Sequence, residues 1–284
     1  MDFANENDRL GLRDVLAFYA QAGVDDALVE EPINRFAASE APPTPAARQP
    51  DVAKAAAPEP RTGEQASPLA FAAPRPPVAV PDEGQIAIAR QRAATAATLD
   101  ELRQQMAEFE GCNLKFTAKN LVFADGNPRA DIMLVGEAPG RDEDLEGLPF
   151  VGRSGQLLDR ILAAIGLDRQ SVYIANVIPW RPPGNRTPTP QETEICRPFI
   201  ERQIELANPK VLVTLGGPSA KTLLHTTEGV MRLRGNWKAH VTASGVTIPA
   251  MPTLHPAYLL RNPAHKKFAW RDFLEVKAKL KTLT

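Results

Sequence analysis

Four short segments gather residue types able to hold a planar, hydrogen-bonding ring and its attached phosphates. The first is Val135-Gly136-Glu137-Ala138-Pro139-Gly140, followed by Arg141-Asp142-Glu143-Asp144. Its glycines let backbone approach a ligand closely, and Glu137 and Glu143 bring carboxylates beside it. The same run also reads as an ordinary strand-to-helix turn with solvated acids. The second, Gly147-Leu148-Pro149-Phe150-Val151-Gly152-Arg153-Ser154-Gly155, opens a helix whose free N–H groups suit a phosphate or a carbonyl. Phe150 is either a core plug or a stacking platform for a planar base. In the third, Asn176-Val177-Ile178-Pro179-Trp180, an asparagine at a strand end offers a donor and an acceptor together. That pair matches a pyrimidine edge with an N3–H beside a C=O, although asparagine also caps turns. Arg181, Asn185 and Arg186 follow in a proline-stiffened stretch suited to phosphate or sugar contacts. The fourth is Thr253-Leu254-His255-Pro256-Ala257-Tyr258-Leu259-Leu260-Arg261. A lone histidine is more often structural than catalytic, but His255 stands before a proline at a strand end. Leu259-Leu260-Arg261 has the apolar-then-basic character of a base-stack wedge with a phosphate anchor. His225, His240 and His265 lack such a setting and read as surface or structural residues.

These segments need a frame. Strand-like runs occur at 130–135, 171–177, 210–215 and 246–252, and helical patterns at 154–165, 190–207, 218–225 and 265–280. Two further helices, 86–97 and 99–109, precede them, the second with Thr98 or Asp100 as its N-cap. Strands alternating with helices predict an α/β fold: a three-layer α-β-α sandwich around a central four-stranded parallel sheet. Ligands of such sheets sit outside the carboxyl ends of the strands, and the four segments fall there.

The chain divides by composition into a small helical module over 1–40, a flexible linker over 41–83 and a globular domain over 84–284. An amphipathic stripe marks 8–22, and 41–81 holds 11 of the 27 prolines with little aliphatic pattern. The net charge of −1 hides an asymmetry. Residues 1–100 carry 15 acidic against nine basic side chains, and the remainder 19 against 24. A mildly basic globular part is compatible with phosphate contacts without requiring them. No run reaches the roughly 18 apolar residues of a membrane span. Two cysteines do not make a disulfide framework, and the N-terminus lacks secretory-signal character, so a cytoplasmic protein is expected.

With those motifs in hand, Gly-Glu-Ala-Pro-Gly, Gly-Leu-Pro-Phe-Val-Gly-Arg-Ser-Gly, Arg-Pro-Pro-Gly-Asn-Arg-Thr-Pro and His-Pro-Ala-Tyr-Leu-Leu-Arg resemble, in order over about 105–281, the family 4 uracil-DNA glycosylases. The resemblance implies a monofunctional hydrolase of base-excision repair that flips uracil out of DNA and cuts its N-glycosidic bond. By position, Glu137, Asn185 and His255 are then catalytic, His255 stabilising charge on the leaving base and Asn185 lying near the sugar and water. Gly136, Ala138, Glu143, Phe150 and Asn176 bind substrate, Phe150 by stacking and Asn176 on the Watson–Crick edge. Arg153, Arg181, Arg186, Leu260 and Arg261 touch DNA. Ala138 stands where a better-known relative has a carboxylate, so water activation must come from elsewhere or matter less. The loop after Asn176 also lacks the inserted histidine of a DNA-cross-linking relative, so no covalent nucleophile is implied.

One departure bears on cofactors. The family holds a four-iron, four-sulfur cluster on four cysteines, and the corresponding positions here are Phe109, Cys112, Trp180 and Cys196. No metal or cluster is therefore expected, and the range of bases is left open to other deaminated bases. The expected partner is double- or single-stranded DNA, the chain acting as a monomer, with a protein partner possible for residues 1–40. Alternatives are a catalytically weak DNA-binding module attached to replication or repair machinery, and a hydrolase of free nucleosides or nucleotides. Intact Phe150, Asn176 and His255 argue against the first, Arg261 and the basic tail against the second.

Overall fold

The computed structural model describes residues 82–283. The module and almost all of the linker expected before residue 82 lie outside these residues.

Helices α1 (Asp82–Thr95), α2 (Leu99–Glu108) and α3 (Leu114–Thr117) lead to β1 (Asp125–Gly126) and β2 (Ile132–Gly136). Then come α4 (Arg141–Glu146), α5 (Arg153–Ala164), β3 (Tyr173–Asn176), α6 (Pro190–Ala207) and β4 (Val211–Leu215). The chain continues through α7 (Gly217–Leu223), α8 (Val230–Leu233), β5 (Lys238–Val241) and β6 (Thr247–Thr253). It closes with α9 (Pro256–Arg261) and α10 (Lys266–Leu283). Two starts show how sequence fixes boundaries. Thr98 accepts the Glu101 N–H at 3.1 Å and caps α2. Thr189 and Glu192 cap α6 reciprocally, with Pro190 at the first helical position.

The sheet order is β1-β3-β2-β4-β6-β5. The inner four strands are parallel, as the alternation of elements predicts. Two antiparallel edges extend this four-stranded core: two-residue β1 beside β3, and β5, paired with β6. Every residue of β2, β3 and β4 is buried, because helices cover both faces and no side is left for water. Successive side chains feed opposite layers. Met133, Val135, Tyr173, Ala175 and Leu212 pack with α1, α2 and α6. Ile132, Leu134, Ile174, Val211 and Val213 pack with Leu158 and Leu162 of α5 and Phe273 and Val276 of α10. The expected helix over 218–225 stops at Leu223, since His225 takes a left-handed φ of 49°. The 141–146 segment, expected as loop, forms α4, closed by Gly147 at φ 74°.

Candidate active site

The carboxyl ends of β2, β3, β4 and β6 open on one cleft of about 550 Å³. It is lined by Glu137 to Gly140, Glu143, Phe150, Asn176, Asn185, Arg186, His255 and Arg261, among others. Four loops distant in sequence therefore meet at one place.

Gly136 and Asn176 are paired across β2 and β3. A Cβ on Gly136 would lie 2.4 Å from Asn176 Oδ1 and 2.7 Å from the Phe150 ring, so glycine is required for both groups to keep their places. Asn176 is 5% exposed, and its Oδ1 has no hydrogen-bond partner among the described residues. A buried acceptor left open costs on the order of 1–3 kcal/mol. The loop beside it is stitched down where Val177 N–H donates to Gly136 O and Ile178 N–H to Glu137 O, each at 3.0 Å.

The Phe150 ring belongs to the core under α5 and also walls the cleft, 5.5 Å from the His255 ring at an interplanar angle of 30°. His255 caps α9, its Nδ1 accepting the Ala257 N–H at 3.1 Å. Because Nδ1 accepts, the ring proton of the neutral imidazole sits on Nε2. Burial, and next the Arg261 charge, push the His255 pKa down to about 4. The strand leading to it is anchored by a buried knot: Thr253 Oγ1 donates to Asp272 at 2.6 Å, and Arg234 donates to Asp272 and to Phe268 O.

The acids divide the work. Glu137 lines the cleft, and burial raises its carboxyl pKa. Glu143 also lines it, but each oxygen accepts a loop amide at 3.0 Å, Gly140 N–H on one and Gly152 N–H on the other. It thus fastens the first loop to the second. Asp144 turns away and accepts the Lys119 and Asn120 amides.

The remaining expected residues are spread more widely. Ala138 lines the cleft. Asn185 does too, at φ 54°, and its Oδ1 accepts Arg181 Nε–H at 2.6 Å. Arg186 lies on the rim, bidentate on Glu192. Arg261 is exposed and also lines the cleft, while Leu260 packs partly into a small core with Leu157, Leu254 and Leu259. Arg153 is exposed at the start of α5 and does not line the cleft. Missed in the sequence were Gly216-Gly217-Pro218 after β4, and Val230 and Met231. The strand-end rule applied to the glycine pair was the available signal for the first group. Nothing in the sequence marked Met231.

Cys112 and Cys196 lie 3.8 Å apart, sulfur to sulfur, both buried as free thiols. Phe109 and Trp180 are buried in the same core cluster, Phe109 edge-on to Phe199 at 5.2 Å. Two thiols and two apolar rings do not fit a tetrathiolate cluster. Among the described residues, no three His, Cys, Asp or Glu side chains are grouped to hold a metal.

The sequence model of the uracil DNA glycosylase superfamily matches residues 123–274. The chain belongs to this superfamily. The matched span holds the whole sheet and all four loops of the cleft, so the glycosylase superfamily and the site coincide. The type-4 uracil-DNA glycosylase of Archaeoglobus fulgidus is 39% identical over 183 residues, 63% of this chain and 92% of that one. Its Saccharolobus solfataricus counterpart is 40% identical over 190 residues, 64% of this chain and 86% of its own length. The Thermotoga maritima protein of the same name is 38% identical over 169 residues, covering 59% and 86%.

Proposed function

We propose that this superfamily member is a monofunctional uracil-DNA glycosylase of base-excision repair: it binds DNA, takes in a flipped-out uracil and hydrolyses the bond from base to deoxyribose, leaving an abasic site. The carrying observation is the buried Asn176 Oδ1, without a hydrogen-bond partner among the described residues, in the cleft that the Phe150 ring and a neutral, Nε2-protonated His255 also line.

Breaking this bond leaves a cationic sugar and an anionic base. Phe150 stacks on uracil, Asn176 Oδ1 accepts its N3–H, and the amide nitrogen donates to the neighbouring carbonyl. His255 Nε2–H donates to the second carbonyl oxygen as negative charge gathers there, and with its pKa about 4 it stays neutral while doing so. Water adds to C1′ as the bond to uracil N1 breaks. Glu137, made more basic by burial, takes the water's proton, and Asn185 borders the sugar. Arg153, Arg181, Arg186 and Arg261 hold backbone phosphates and Leu260 fills the vacated stack. Gly136, Ala138 and Glu143 shape the loop against the base.

The reading includes no iron–sulfur cluster, supported by the two rings, Phe109 and Trp180, that occupy the first and third ligand positions. A DNA-binding module without catalysis is not favoured, because it has no need of Asn176 and His255 in this arrangement. The test incubates uracil-containing duplex and single strand with wild type, Asn176→Ala and His255→Ala, then cleaves abasic sites with alkali. Breaks are expected with wild type and strongly reduced with both variants. No breaks with wild type would sink the enzyme reading, and equal breaks in all three the residue roles.

A further inference from the structure

Phe150 is a bulky aromatic residue in the left-handed region, φ 55°. Such a residue strains the backbone, and the strain persists only where surroundings over-determine it. The surroundings here are specific. Arg169, in the single turn Arg169–Ser171 that leads into β3, donates from Nη1 to Pro149 O at 3.2 Å and from Nη2 to Phe150 O. The guanidinium is itself fixed by carboxylates from two other elements, Asp159 of α5 at 2.8 Å and Asp125 of β1. Its side chain is 22% exposed. On the far side, a Cβ on Gly155 would fall 1.6 Å from Phe150 O, so only glycine lets that carbonyl lie against α5.

We infer that Arg169 is the positioning residue of the base-stacking platform: by holding the Pro149 and Phe150 carbonyls it fixes Phe150 in the turn that turns its ring to the cleft before any base arrives. Arg169 does not line the cleft and touches no substrate; it acts through Phe150. Arginine suits the task because its planar fork serves two carbonyls and two carboxylates at once, which a lysine ammonium cannot match. Asp125 and Asp159 are the supports of the clamp. This inference rests on the uracil-excision reading only for the use to which the platform is put.

The test compares Arg169→Met, Arg169→Lys, Phe150→Ala and the Arg169→Met/Phe150→Ala pair. Single-turnover uracil excision should fall roughly tenfold to a hundredfold in Arg169→Met, as a displaced contact group does, with partial recovery in Arg169→Lys. Affinity for uracil-free duplex should be unchanged. In the Phe150→Ala background, Arg169→Met should add no further loss. A purely structural arginine would instead give additive losses or lower duplex affinity as well. In substrate-free protein, amide exchange over 148–155 should quicken in Arg169→Met while the sheet keeps its protection. Full activity in Arg169→Met, additivity with Phe150→Ala, or unchanged exchange would each overturn the proposal. An inactive wild type would overturn the functional reading instead, and the exchange measurement would still decide the clamp. Should Arg169→Met not fold, Asp125→Asn loosens the same guanidinium and is expected to give a smaller effect of the same kind.

Discussion

Gly136 and Asn176 stand opposite each other at the ends of β2 and β3, and a single added carbon on Gly136 would collide with Asn176 Oδ1 at 2.4 Å. The asparagine's reach into the cleft is thus set by an atom its neighbour does not have.

Gly136→Ala should therefore displace the Asn176 amide and the Phe150 ring together. Uracil excision is expected to drop by roughly a hundredfold, the scale of a one-ångström misplacement. Overpacking should cost about 1–3 kcal/mol of stability by urea unfolding. Wild-type excision rates in this variant would refute the role given to Asn176.

For His255 the predictions concern pH. Its neutral form is the donor, so His255 itself should cost no activity until pH approaches about 4, and the fall met first on acidification should be the protonation of Glu137, which burial raises above the usual carboxylate range. A fall centred near 6.5 would mean an ordinary imidazole and no neutral donor. Stability carries the same signature. The folded pKa lies below the unfolded one, so the unfolded chain binds the proton first as pH drops. Stability present above 6.5 should decline through the window from 6.5 to about 4, by about 3 kcal/mol in all. Urea unfolding at pH 7.5 and 4.5 should show this slope in wild type and less of it in His255→Gln.

Trp180 and Phe109 share one buried core cluster with Cys112 and Cys196. Trp180→Ala is expected to cost about 3–5 kcal/mol, measured by urea unfolding. Wild type purified without air should show neither stoichiometric iron nor visible absorbance from a cluster. Stoichiometric iron would overturn the cluster-free reading.

Arg261 lies exposed on the rim and also depresses the His255 pKa, after burial. Arg261→Gln should weaken duplex binding and reduce the salt slope by about one unit. The His255 imidazole should titrate higher in this variant by NMR. An unchanged slope would remove Arg261 from the phosphate contacts.

Much of the frame was legible because parallel strands covered on both faces are continuous apolar runs, as in Ile132 to Val135 and Val211 to Val213. Helix α6 was readable to the residue, since Thr189-Pro190 and Glu192 encode its start. The edges were not. Strand β1 is two residues long, and β5 exposes three of its four side chains, so neither carries an apolar period. Placement of His255 and Asn176 in one cleft followed from the strand-end rule, whereas Phe150, between α4 and α5, follows no strand and was marked only by its glycine-flanked loop. The employment of Glu143 by two loop amides did not, because a carboxylate's partners come from chain segments that only folding brings near. Arg169 was silent for the same reason: its two carbonyls lie 19 and 20 residues back along the chain.

All four cleft loops leave the sheet at its carboxyl edge, whereas the hairpin turn of β5 and β6, 242–246, lies at the opposite end. Gly245 there has open space around it. The fold accordingly has a working end and a handle. A dye, a surface tether or a fused partner attached at that turn would leave the mouth of the cleft facing outward, which makes this the point from which to hold the protein while DNA is drawn across it.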